Sequence, residues 1–170
     1  MVDGHYILSY IGVQGPFLLV VLSIILLFHH KNYLKFFFVG LIMNTILNVI
    51  LKIIIKDPRP SDDRKALEIG VINGRRISFD KYGMPSGHAQ MVMYLLIYIT
   101  MVLNSPEVSC LFGIISINSI YQRYANNNHT ILQLIVGMIL GCVVGYISYI
   151  KAMVHIKGDI KPKQDDNAPK

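Results

Sequence analysis

The sequence predicts an all-α, polytopic membrane bundle of about five transmembrane helices, and three observations carry that reading. Of its 170 residues, 53% are hydrophobic and only 15% charged, below the roughly 25% charged residues of ordinary soluble domains. The mean hydropathy is +0.48. The apolar residues fall into runs close to the about 20 residues that a spanning helix needs, and the polar connections are short except for one. That length accommodates one membrane-embedded domain over residues 1–150 with a charged tail over 151–170.

The first run, Ile7 to Phe28, is interrupted at Gln14-Gly15-Pro16. It is expected as one span kinked at Pro16; a complete break there would leave too few apolar residues to cross and make the segment re-entrant. The opening Met1-Val2-Asp3-Gly4-His5 lacks the positive n-region of a signal peptide, so the first span is expected to be retained. The second run, Phe36 to Ile55, carries Asn44, Asn48 and Lys52 at i, i+4 and i+8. They share one helix face, which should point toward protein or water and away from lipid. The third run extends from Ala89 to Leu103, the fourth from Val108 to Tyr124, and the fifth from His129 to Ile150. In the fifth, Gly137, Gly141 and Gly145 recur every fourth residue, a stripe that lets a neighbouring helix approach closely.

Two segments read as non-membrane. Residues Lys56 to Met84 form a polar loop of about 29 residues, longer than a helix connection needs and of a length that usually carries function. The tail, charged and containing two prolines, reads as disordered. The formal charge of +6 raises nucleic acid as a partner, but the basic residues lie between or beside apolar runs and form no continuous stripe, which excludes that class. Cys110 and Cys142 sit inside apolar runs as small packing residues.

Counting crossings places the N-terminus, the long loop, the Pro85-Ser86-Gly87-His88 turn and the Arg123 to His129 link on one side. That face gathers the fixed charges Lys52, Arg59 and Arg123, two histidines at helix starts, and a Ser-Gly pair whose backbone amides can point at an anion. Such a set suits phosphoryl transfer, whose transition state spreads negative charge over three equatorial oxygens. Taken singly, each residue has a plainer reading. Lys52 can snorkel from a helix end, Arg59-Pro60 can be a juxtamembrane charge with a helix stop, His88 an interfacial histidine, and Arg123 and His129 the flanks of a short loop.

The joint spacing is more specific. Lys52 is followed by six residues and Arg59-Pro60; Pro85-Ser86-Gly87-His88 opens the third span; Arg123 is followed by five residues and His129. This order resembles the three-part signature of the type 2 phosphatidic acid phosphatase superfamily, which also includes vanadium haloperoxidases. The resemblance implies that His129 is a nucleophile forming a phosphohistidine and that His88 is the general acid for the leaving group. It also implies that Lys52, Arg59, Ser86, Gly87 and Arg123 hold phosphate oxygens. No metal or cofactor is implied: Asp62-Asp63 reads as a solvated loop or helix cap, and the carboxylate cluster of a two-metal site is missing.

The chain departs from the broad pattern at Gln122, where a Ser usually stands, and at Gln133, where an Asp usually lies four residues after the nucleophile. Gln133 shares a helix face with a helical His129, where its amide oxygen can accept a ring N–H and fix the tautomer. It does not stabilise an imidazolium as a carboxylate does, so a catalytically dead membrane scaffold or lipid-binding protein is one reading. Asn44 to Pro60, Lys81-Tyr82-Gly83-Met84-Pro85-Ser86, His88-Ala89-Gln90 and His129-Thr130 with Gln133 look like the dolichyl diphosphatase branch, in which Gln follows the nucleophile. That narrower resemblance implies a polyprenyl diphosphate substrate hydrolysed to the monophosphate. The alternatives are a broader lipid phosphate phosphatase acting on phosphatidic acid or related monoesters, the inactive scaffold, and a haloperoxidase-like oxidase. Membrane lipids are the other expected partner, and the endoplasmic reticulum with a lumenal site is the expected location. Lys31, Lys35 and the tail lysines oppose the site, although Arg64, Lys65, Arg75, Arg76 and Lys81 enrich the site side as well.

Overall fold

The computed structural model describes residues 4–60, 71–72, 75–76 and 81–159. Five helices follow in chain order: α1 (Gly4–Leu27), α2 (Lys31–Ile55), α3 (Gly87–Leu103), α4 (Pro106–Ala125) and α5 (Ile131–Asp159). Between α2 and α3 a two-residue antiparallel ladder pairs β1 (Val71–Ile72) with β2 (Arg75–Arg76). α1 passes through Pro16 as one helix, so the re-entrant alternative does not hold.

Local chemistry sets the ends. α2 stops at Lys56, which turns left-handed at φ 53° and donates its N–H to the Lys52 carbonyl, with Pro58 and Pro60 following. α3 is capped by the Ser86 hydroxyl, which accepts the Ala89 N–H, and ends at Asn104 with φ 48°. α4 begins with the Ser105 cap and Pro106 in the first turn. α5 opens on a capping box: the Thr130 hydroxyl accepts the Gln133 N–H at 3.2 Å, and Gln133 Oε1 accepts the Thr130 N–H at 3.1 Å. That reciprocal pair starts the helix at Ile131 and leaves His129 outside it.

Among the described residues, α1 from Leu8, α2 and α5 are long and apolar enough to cross a membrane by length and composition. α3 is apolar but shorter, with 17 residues, or about 26 Å, and it is the central helix. Its Val92, Tyr94, Leu95, Tyr98 and Ile99 are fully buried, and it packs against all four others. α4 buries Ser116, Ser119, Gln122 and Arg123 toward the bundle and presents Leu111, Ile114, Ile117, Tyr121 and Tyr124 outward. In water such a stripe would be an aggregation hazard; facing lipid it is the expected surface of an integral membrane protein. The glycine stripe of α5 works as its spacing predicts. A Cβ on Gly137, Gly141 or Gly145 would press on the backbone oxygens of Ser86, Gln90 and Tyr94 respectively, so the two helices run in register four residues at a time.

The crossing order is alternating. Asn118 of α4 donates to the Leu8 carbonyl at 2.9 Å, placing the start of α1 beside the second half of α4. At the opposite end, Tyr98 of α3 donates to the Tyr33 carbonyl at 2.6 Å, and Tyr33 donates to Met153 Sδ of α5 at 3.1 Å. α5 continues past residue 150 to Asp159, with Ala152 buried and the His155 ring 5.3 Å from the Phe36 ring between centroids. Asp62-Asp63 and the tail beyond residue 159 lie outside the described residues.

Candidate active site

The ends of α2, α3, α4 and α5 converge on His129. The α4–α5 link is short and strongly shaped: Asn127 adopts φ 51°, a left-handed conformation that Asn tolerates better than most residues. The Arg123 carbonyl then accepts both the Asn128 N–H at 3.0 Å and the His129 N–H at 3.3 Å. This fold-back sets His129, 2% exposed, beside the fully buried Arg123, whose Nη1 donates to Asn128 Oδ1 at 3.2 Å. Arg59, from the segment after α2, reaches across with Nη1 3.1 Å from His129 Nε2 and 3.4 Å from the Asn128 carbonyl oxygen.

Burial holds the His129 imidazole well below the ordinary histidine range, and the neighbouring Arg59, Lys52, His88 and Arg123 push it further in the same direction. The ring is therefore neutral in the resting site. Lys52 is 4% exposed on the α2 face it shares with Asn44 and Asn48, as the four-residue spacing predicts. Those two asparagines are tied to Gln90 of α3. Gln90 Nε2 donates to the Asn44 carbonyl and to Asn44 Oδ1, each at 2.9 Å, and Asn48 Nδ2 donates to Gln90 Oε1 at 2.8 Å and to the Pro85 carbonyl at 3.3 Å. This network locks the start of α3, and His88 with it, against α2.

Gln133 is fully buried, with Oε1 3.2 Å from His129 Nδ1. The contact expected between them is present, but its cause differs, since His129 precedes the helix and the capping box, not a shared helix face, brings Gln133 to it. Ser86 departs from expectation in one respect. Its backbone N–H donates to the Gln133 carbonyl at 3.1 Å and its Oγ caps α3, so the hydroxyl proton and the following first-turn amides are what this turn can offer an anion. Gly87 opens α3 beside Asn48, whose Oδ1 lies 3.3 Å from where a Cβ would stand.

Sequence reasoning overlooked three participants. Asp57 accepts from Gln133 Nε2 at 2.5 Å; Asn128 bridges Arg123 and Arg59; Gln90 anchors α2 to α3. Asp57 directly precedes Pro58-Arg59-Pro60, and Asn128 directly precedes His129. That adjacency to the motif residues was the available signal.

Among the described residues, five helices, three of them long and apolar enough to cross a membrane, bring a buried, neutral histidine together with the fixed cations Lys52, Arg59 and Arg123 at one end of the bundle. The sequence matches the model of the PAP2 superfamily over residues 33–156, and the chain belongs to that superfamily. The match begins within α2 and takes in every residue of the site. The family points to a hydrolase, a phosphatase of lipid phosphates. No curated protein and no solved structure matches the chain.

Proposed function

We propose that the protein hydrolyses a polyprenyl diphosphate of the dolichyl type to the monophosphate through a phosphohistidine on His129. The observation that carries this reading is the state of that residue: buried, neutral, its Nδ1 beside an amide oxygen and its Nε2 turned toward Arg59. A neutral imidazole has one lone pair to give. With the Nδ1 proton resting on Gln133 Oε1, that pair is on Nε2, among Arg59, Lys52 and Arg123.

In the first half-reaction Nε2 attacks the terminal phosphorus, an N–P bond forms and the bridging P–O bond breaks. The bonding electrons leave on the bridging oxygen of the lipid monophosphate, and His88 donates a proton there. Lys52, Arg59, Arg123, the Ser86 hydroxyl and the first-turn amides from Gly87 hold the equatorial oxygens in the transition state. In the second half-reaction water attacks the phosphohistidine, His88 takes its proton, the N–P bond breaks and inorganic phosphate leaves. Gln133 keeps its acceptor on Nδ1–H throughout. The choice of diphosphate over phosphatidic acid rests on the branch-like stretches around Lys52, Pro85 and Gln133. The branch resemblance supports a site on the lumenal side; Lys31, Lys35 and Lys151 at the far end agree with it, but the basic residues of the long loop offset that charge argument.

The test is phosphate release by purified protein in detergent, with chelator present, from prenyl diphosphate, prenyl monophosphate and phosphatidic acid. We expect the highest kcat/KM on the diphosphate, an acid-labile phosphoenzyme and inhibition by vanadate. A preference for phosphatidic acid would replace the substrate assignment with the broader monoester reading. Absence of release from all three would overturn the enzymatic one.

A further inference from the structure

The side-chain amide of Gln133 makes four contacts, and together they fix its orientation. Nε2 faces two acceptors, Asp57 Oδ2 at 2.5 Å and the Pro58 carbonyl at 2.8 Å. Oε1 faces the Thr130 N–H at 3.1 Å and His129 Nδ1 at 3.2 Å. A flipped amide would set its oxygen against a carboxylate and a carbonyl and its NH2 against a backbone N–H, losing all three hydrogen bonds whose donors are known. With Oε1 so placed, His129 Nδ1 carries the hydrogen.

Asp57 is itself held. Its carbonyl accepts the Gly83 N–H at 2.7 Å, and Pro58 forms a bridge with Tyr82. The two ends of the long loop thus close over Gln133. Gly83 is required at that closure, because a Cβ there would collide with the Gln133 amide. Two loop ends, a helix break at Lys56 and a capping box all bear on one amide, and among the described residues the carboxylate they bring to it is that of Asp57.

We propose that Asp57 is a positioning residue that acts on His129 through Gln133, supplying from one side chain further away the carboxylate that most of the superfamily places directly on the nucleophile. The inference rests on the reading of His129 as nucleophile. As the N–P bond forms at Nε2, positive charge spreads over the ring and the Nδ1–H bond to Oε1 strengthens. A carboxylate on the amide's N–H polarises it and makes Oε1 a better acceptor at that moment. Oε1 alone sets the tautomer; Asp57 keeps Oε1 facing the ring and adds charge behind it.

The experiment is a set of four variants read by kcat, KM and the tautomer of His129. Asp57→Ala is expected to lower kcat about 10–10²-fold, the usual cost of losing a group that orients a ligand or nucleophile, with KM little changed. Asp57→Asn keeps an acceptor for Gln133 Nε2 and is expected to lose less. Gln133→Glu preserves the capping box and puts a carboxylate on Nδ1–H, but turns its second oxygen toward Asp57 and the Pro58 carbonyl, so on its own it is expected to fall by about 10-fold or more. Adding Asp57→Asn to Gln133→Glu supplies an NH2 to that oxygen and is expected to restore kcat above Gln133→Glu alone. That reciprocal rescue would show that the two side chains act as a pair, and the kcat-against-KM split and the tautomer of His129 distinguish positioning from a merely structural contact. Asp57→Ala within about threefold of wild-type kcat, or an Asp57→Asn that deepens the Gln133→Glu defect, overturns the proposal. Independently of turnover, histidine-labelled protein read by 15N and 13C NMR, with His129 assigned by its loss in His129→Ala, is expected to show Nδ1–H in wild type and a mixture of tautomers in Asp57→Ala. An unchanged tautomer there overturns the positioning role even if the wild type hydrolyses no lipid phosphate, whereas inactive wild-type protein with the expected tautomer shift would sink the nucleophile reading alone.

Discussion

The two ends of the bundle use the same helices in opposite ways. In the core toward the far end, Tyr94 donates to the Phe37 carbonyl and Tyr98 to the Tyr33 carbonyl, each at 2.6 Å, around an aromatic cluster with Phe37. At the site end, three cations and two histidines crowd together, and the polar scaffold of Asn44, Asn48, Gln90, Gln133 and Asp57 holds backbone and rings in place around them. One end gathers hydrogen bonds that lower the energy of the fold. The other gathers charges that, under the proposed function, are stabilised when a phosphate arrives. Substitutions at the site end should therefore move rates, and substitutions at the far end should move stability.

The largest effect expected is at His129. His129→Ala should abolish turnover, a loss of at least about 10⁴-fold, along with any acid-labile phosphoenzyme, since the proposed covalent route runs through that ring. Near-normal turnover would favour direct attack by water. Next comes His88, through a comparison of substrates. General acid help is worth about 10²–10⁴ in rate and matters most for a basic leaving group. A prenyl alkoxide is far more basic than a prenyl phosphate, so His88→Ala should damage monophosphate hydrolysis more than diphosphate hydrolysis. Equal losses in kcat/KM on matched substrates would leave His88 as a binding residue. Arg59→Ala, which removes the guanidinium 3.1 Å from Nε2, should cost about 10²–10³ in kcat/KM on either substrate.

How much of this was legible beforehand follows from the distance over which each feature is determined. The five helices were legible because run length and apolar character are local, and the ends of α2, α3 and α4 because Lys56-Asp57-Pro58, Ser86-Gly87 and Asn104-Ser105-Pro106 are local punctuation. The convergence of Lys52, Arg59, His88, Arg123 and His129 was legible because all lie at helix ends, and alternating crossings bring such ends together. For Asp57 only its place beside Pro58-Arg59-Pro60 was legible; its contact with Gln133 goes with a left-handed residue at Lys56 and pairing between Pro58 and Tyr82 across the long loop. The capping role of Thr130 is written in Thr130-Ile131-Leu132-Gln133, a Thr followed three residues later by Gln. The extension of α5 past residue 150 depends on Tyr33 and Phe36, far away in sequence.

A smaller effect concerns pH. Because burial first, and then Arg59, Lys52, His88 and Arg123, depress His129, it stays neutral through the range in which an ordinary histidine, near 6.5, takes up a proton. The unfolded chain does take one up there. For this group, stability is therefore fully present above about pH 6.5 and declines as pH falls below it toward the lower folded value. Asp57 accepts from Gln133 Nε2, on the opposite end of that amide from the oxygen beside the ring. The acid limb of kcat/KM assigned to His129 should accordingly lie below 6.5 and move upward in Lys52→Ala, which removes one cation. A limb that Lys52→Ala leaves in place belongs to another group.

The smallest effect expected sharpens the comparison from the other end. Tyr98→Phe removes a hydroxyl that donates to the Tyr33 carbonyl at 2.6 Å and leaves the ring packed against Tyr94, at 6.0 Å between centroids, and Phe37. A neutral hydrogen bond of this kind contributes about 0.5–1.5 kcal/mol, and interhelical ones within membranes average about 0.6. The Tyr33 carbonyl lies within α2, where the helix ladder offers it a second partner, so the loss falls toward the lower part of that range. In a chain of this size such a change shifts Tm by about 2–4 °C per kcal/mol. The expected result in detergent is a Tm lowered by about 1–3 °C with kcat and KM unchanged on the diphosphate. The site is insulated because Tyr98 lies eight residues beyond Gln90 on α3, about 12 Å along the axis, with Tyr94 and the Gly141 and Gly145 contacts between them. A fall in kcat of about tenfold without a shift in Tm would mean that the two ends are coupled through α3, and the division of labour between them would have to be given up.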